Sequence, residues 1–173
     1  YGEKRISCLE KLPVDNEVEK KIIDARTVLG LYYLQMMLTV EAKAAVEPIV
    51  DLAIRRSYRR RISQIYIILG NYCHLVNENY PRALEYYEKA LKIGEALNDI
   101  LTLVLVNNFM GFCLSDNGEF EKALPYIENA LEINVMANVP WGIAAMKAHI
   151  AVFVYSRQGK VELAYQTSHE ALR

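Results

Sequence analysis

The chain has 173 residues, 53% of them hydrophobic, with 20 Lys and Arg against 21 Asp and Glu and a net charge of −1. That length can bury a sizeable core, and near-neutrality removes any overall pull toward nucleic acid or an anionic membrane. No apolar run reaches the ~18 residues of a membrane span. Cys8, Cys73 and Cys113 form no CxxC pair, so they read as reduced, mostly core thiols of a cytoplasmic protein. Residues 1–13 carry Ile6, Leu9 and Leu12 and read as the tail of an earlier helix or a linker. Asp15 or Asn16 can cap the next helix, which runs to about Leu38. A second helix follows from about Ala42 to Arg56, with Pro48 marking a kink or a late start. The next spans about Tyr58 to Val76, turns at Asn77-Glu78-Asn79, and is followed by a helix ending near Leu97. Asn98-Asp99 opens a helix to Leu114, and Ser115-Asp116-Asn117-Gly118 reads as a loop, with Gly118 available for a left-handed conformation. The following helix contains Pro125 and stops at Asn138-Val139-Pro140. The last turn is Gln158-Gly159-Lys160. No segment alternates as a strand would.

Two of these helix pairs repeat one phrase. Tyr80-Pro81-Arg82-Ala83-Leu84 returns as Phe120-Glu121-Lys122-Ala123-Leu124, and Ala90-Leu91 returns as Ala130-Leu131. Ala83 to Ala123 is a step of 40, and Gly70 to Gly111 a step of 41. Ala83 and Ala90 lie two turns apart on one helix face, where small residues admit a neighbouring helix closely. A fixed period of this size marks stacked helix pairs that bury a continuous core together.

The pattern resembles the tetratricopeptide repeat. Tyr66, Leu69-Gly70, Tyr80, Ala83, Tyr87 and Ala90 match it once. Asn107, Met110-Gly111, Phe120, Ala123, Ile127 and Ala130 match it again. A third copy reads Val152, Tyr155, Gly159, Val161, Ala164, Ser168 and Ala171, with Val152 in the glycine's place. A diverged copy upstream holds Leu29-Gly30, Tyr33, Ala45 and Ala53. The resemblance implies an all-α, right-handed superhelical solenoid of antiparallel helix pairs. Its copies fall at about 14–57, 58–98, 99–138 and 139–173, after a leading segment 1–13. The long repeats also resemble arrays in large bacterial multidomain signalling ATPases, kinases and nucleotide cyclases. The start at Tyr1 and the stop at Arg173, inside a helical pattern, suggest a piece of such a protein.

Enzymatic chemistry is not expected in this segment. It has no phosphate-cradling GxxxxGK[ST], and His74, His149 and His169 are scattered without zinc spacing. No cofactor or metal is expected. Arg55, Arg56, Arg59, Arg60 and Arg61 form one basic cluster, read as a solvated interhelix turn, so a nucleic-acid partner is not expected. In tetratricopeptide arrays the first helix of each pair lines the concave face. That resemblance puts Gln64, Asn71 and His74 there, then Asn108, Phe112 and Ser115, then Met146, His149, Phe153 and Arg157. Amides and aromatics suit an extended peptide or a helix. Thr27 and Ile67 stand where carboxylate-gripping relatives have lysine. The expected function is protein–protein interaction in signalling. A structural spacer or self-association segment is one alternative, with weak association through the final helix. A sensor of a small ligand or nucleic acid is another.

Overall fold

A computed structural model describes residues 1–13 and 15–172. The expected outermost residues of the repeat array, Val14 and Arg173, lie outside the described residues. The chain is all-α, with no strand among the described residues. It divides into two compact units, Tyr1–Leu97 and Asn98–Arg173.

The first unit opens with α1 (Gly2–Leu9), which packs on α2 (Asn16–Gln35). Asp15 caps α2 by accepting the Val18 N–H at 2.7 Å, and Glu17 and Glu19 favour the positive end of its dipole. The helix expected over residues 42–56 is broken. It comprises α3 (Thr39–Val46), a 3₁₀ turn (Glu47–Ile49) and α4 (Val50–Arg55). Pro48 has no N–H to give an α-helical bond, so the break falls where it stands. Then α5 (Arg59–Leu75) pairs with α6 (Tyr80–Leu97). Asn79 caps α6 by accepting the Arg82 N–H at 3.0 Å. Ile23, Ile65, Ile67, Ile68 and Tyr87 are at most 1% exposed and form the core of this unit. A Cβ on Gly70 would sit 2.5 Å from Cε1 of Tyr87, so only glycine lets α5 and α6 approach this closely.

In the second unit α7 (Ile100–Asp116) pairs with α8 (Phe120–Met136). Then come α9 (Pro140–His149), a π-helical continuation (Ile150–Ser156) and α10 (Val161–Ala171), which packs on both. Ala123, Ile127, Ala130, Val106 and Cys113 are fully buried. The repeated alanines therefore sit where a neighbouring helix comes closest. Ser115 and Asp116 belong to α7, although their composition reads as loop. Ser115 is buried and its hydroxyl donates to the Phe153 carbonyl, so packing extends the helix past its turn-forming residues.

The third copy departs from the repeat at Val152. Ala151 is 1% exposed, whereas Val152 is 54% exposed. At Gly111 an added Cβ would overlap the Ile127 side chain. A valine in the corresponding place has no room between two helices. The wider π turn carries Val152 outward and gives Ala151 the inward position.

Each connection between successive helix pairs, and within each pair, holds one left-handed residue. These are Met37, Ser57, Glu78, Asn98, Gly118, Asn138 and Gly159, with φ between 48° and 80°. After Met37, Ser57, Glu78, Gly118, Asn138 and Gly159 the next residue sends its N–H back to the end of the helix just finished. Leu38 bonds Tyr33 O at 2.9 Å, Glu119 bonds Leu114 O at 2.8 Å and Val139 bonds Asn134 O at 3.0 Å. These closures satisfy carbonyls that a helix end would otherwise leave bare. The expected left-handed turn at Gly118 is one of them.

Candidate protein-interaction site

The residues expected on one binding face separate into two groups. Gln64, Asn71 and His74 lie on α5 and are buried, the first two at 0% and 1% exposure. The Asn71 amide donates to the Ile67 carbonyl of its own helix at 3.1 Å, and Gln64 accepts from Arg61 at 2.7 Å. The Asn71 amide N–H and Gln64 Oε1 are thus engaged within α5 itself. Met146 is also buried, at 5%.

The second group comes together within the second unit, where α7 faces α9 and its π-helical continuation. The Phe112 ring stands 4.7 Å from the His149 ring and 4.5 Å from the Phe153 ring, centroid to centroid. His149 and Phe153 are 5.8 Å apart in a T-shaped arrangement, and Phe109 extends the cluster at 6.3 Å from Phe112. All four rings are half-buried. Edge-to-face and tilted contacts of this kind add to the value of the buried area alone.

Polar ties frame the rings. Asn108 Oδ1 lies 3.0 Å from His149 Nδ1. The Arg157 guanidinium stacks 5.0 Å from the Phe153 centroid and pairs with Asp116 on α7. Ser115 bonds the Phe153 carbonyl. Burial pushes the His149 pKa below its usual 6.5, so the ring is neutral near pH 7. With Nδ1 donating to Asn108 Oδ1, Nε2 is the acceptor nitrogen of the neutral ring. The surface thus offers aromatic faces, one neutral imidazole and one guanidinium. It can grip an apolar side chain and hydrogen-bond a backbone beside it.

Asn108, Phe112, Ser115, His149, Phe153 and Arg157, all expected on the concave face, lie together here; Asp116, the partner of Arg157, was not among the expected residues. The 41-residue step between those two was the available signal.

Elsewhere the arginine cluster is partly neutralised. Arg56 pairs with Glu19 and Arg61 with Asp24, within the first unit. Cys113 is fully buried, and burial, with Asp116 and Glu119 nearby, pushes its thiol up to about 12. Cys8, by contrast, is exposed and does not join the core as expected of most of the thiols. Among the described residues no three His, Cys, Asp or Glu side chains converge as a metal site, and no helix is long and apolar enough to cross a membrane.

A tetratricopeptide repeat family model matches residues 106–134, which span most of α7 and nearly all of α8. Two solved structures share the fold over 99% of this chain. One is BtubC (BKLC) from P. vanneervenii, with a TM-score of 0.75, 16% identity and 69% of that chain covered. The other is aspartyl phosphate phosphatase F from Bacillus subtilis, with a TM-score of 0.75, 17% identity and 43% of that chain covered.

The chain has a tetratricopeptide-like helical-repeat fold.

At these identities the likeness to the two structures is one of fold. The chain spans less than half of the phosphatase. No curated protein matches it. The tetratricopeptide match and the shared fold support a protein-interaction repeat domain.

Proposed function

We propose that this chain is a non-enzymatic interaction segment of a larger, cytoplasmic bacterial signalling protein. It holds a peptide or a helix against the Phe112–His149–Phe153 surface of its second unit. The observation that carries the reading is the trio of half-buried rings with centroids 4.5 to 5.8 Å apart. Rings that pack only for the core have no need of an imidazole nitrogen and a guanidinium at their rim. A π-helical turn supports it too, since such turns cluster at functional sites. The fold is typically used for binding rather than catalysis, and both structural relatives come from bacterial sources.

The test is selection from a displayed peptide library on the intact chain. A shared consensus with an apolar anchor is expected, and its enrichment should vanish on the Phe112→Ala, Phe153→Ala double variant. Equal enrichment on both proteins would remove this site from the function.

A second reading, a spacer or self-association segment, draws on α10. It has no buried residue, and Val161, Leu163, Tyr165 and Leu172 are exposed. Exposed apolar groups of this kind promote association. Leu163→Lys with Leu172→Lys should abolish any weak self-association that runs through this helix. Association unchanged in that variant would exclude it.

A further inference from the structure

The α8–α9 turn and the start of α7 form an apolar edge on the second unit that the peptide site does not use. Trp141 is 79% exposed and Met136 78%, with Ile100, Val135 and Val139 exposed beside them. Residues 133–146 contain no charged side chain, and neither do residues 100–115. The preceding copy is different at the same repeat positions. One step of 41 earlier, Ile100 and Leu101 correspond to Arg59 and Arg60, and one step of 40 earlier Val135 corresponds to Glu95. Those three charged residues are exposed, as an edge with no partner would be. The exchange of exposed charge for exposed Ile, Leu and Val gathers a contiguous apolar patch here, and such patches mark interaction surfaces.

The same edge carries a groove. Ile100 and Leu103 of α7 face Ile133, Met136 and Ala137 of α8 around about 300 Å³ of largely apolar space. The protruding Trp141 indole and this groove therefore lie on one edge of one unit. A two-fold interface requires such a surface, which must complement itself. The lack of charge matters as well. Two identical charged patches repel when brought together, and no charged side chain lines this groove.

We infer that this edge is a self-association surface, on which Trp141 of one copy fills the Ile100–Met136 groove of a second copy and receives that copy's Trp141 neighbourhood in return. A stable interface takes about 800 Å² from each partner. Burying one Trp supplies about 150–250 Å², and the exposed Ile100, Val135, Met136 and Val139 side chains add most of the rest. The inference is independent of the peptide site and of α10.

Trp141 is the only tryptophan in the chain, so its fluorescence reports this edge directly. The experiment follows its emission and the sedimentation coefficient between about 1 μM and 1 mM protein. The expected result is a dimer that forms with rising concentration, with Trp141 emission shifting to the blue in step. Trp141→Lys and, separately, Met136→Lys should each raise the dissociation constant at least about tenfold. Both positions are exposed, and circular dichroism should find their helicity equal to that of the parent. Constant red emission over the whole range overturns the inference. So does association that survives both variants but is lost in Leu172→Lys, which would assign it to α10. A blue shift only on adding phosphatidylcholine vesicles would overturn it in favour of lipid.

Discussion

Asn108 Oδ1 and His149 Nδ1 meet at 3.0 Å across a separation of 41 residues, one repeat step. The same step that stacks one helix pair on the next thus delivers an imidazole to an amide. The neutral ring is the form that burial favours. A histidine whose folded pKa lies below its unfolded value contributes stability that is fully present above the unfolded pKa, near 6.5. That contribution is lost as pH falls from there through the depressed folded value. The melting temperature should therefore drop between pH 7.5 and pH 5 more steeply in the parent than in His149→Gln. Parallel pH profiles would mean that the ring titrates as freely as in the unfolded chain.

Gly111 and Ile127 form a tight small-to-large contact in the second unit. A Cβ at position 111 would overlap Ile127 Cγ1 and come 3.2 Å from the Ala123 carbonyl. Gly111→Ala gains helix propensity, worth about 1 kcal/mol. Overpacking costs about 1–3 kcal/mol. The sum should be net destabilising in a urea melt, and Gly111→Ala should cost less in an Ile127→Ala background. Ala123→Phe should be worse, because Ala123 has no exposed surface to expand into. Equal costs of Gly111→Ala in both backgrounds would contradict the contact.

Met37 is left-handed at φ 58° and three-quarters exposed. A side chain in that conformation costs roughly 1–2 kcal/mol, and little contact offsets it here. Met37→Gly should stabilise the first unit by about 0.5–1 kcal/mol after the entropy that glycine loses on folding. Unfolding by urea measures this, and a loss of stability would show that the exposed thioether carries more than its position suggests.

The thiols should react in an order set by exposure. Cys8 is exposed, Cys73 is half-buried with its thiol raised by burial, and Cys113 is buried with its thiol near 12. Thiolate is the reactive form. Native alkylation at pH 8 followed by mass spectrometry should therefore label Cys8 first and leave Cys113 untouched until urea is added.

Much of the fold was legible because the alanines and glycines recur at fixed steps and each fills a close helix contact. The cap at Asp15 or Asn16 and the turns at Asn77-Glu78-Asn79 and Gly118 were legible for the same local reasons, whereas the capping role of Asn79 was not. Three further features were not. The helical state of Ser115 depends on the Phe153 carbonyl, 38 residues away, so no local pattern carries it. The π turn depends on a valine lacking space in the third copy. The burial of Asn71 depends on what surrounds α5, whereas the repeat register gives only its direction. Of the expected site, Phe112, His149 and Phe153 came together because each lies one repeat step, or one turn, from another.

The affinity of a library-selected peptide for the intact chain, measured by calorimetry with and without Phe112→Ala and Phe153→Ala, tests the central claim most directly. Central aromatic anchors typically cost 2 kcal/mol or more on truncation. The double variant should bind about thirtyfold or more weakly while its circular dichroism spectrum stays that of the parent. Unchanged affinity in that variant would contradict the account and take the binding surface away from these rings.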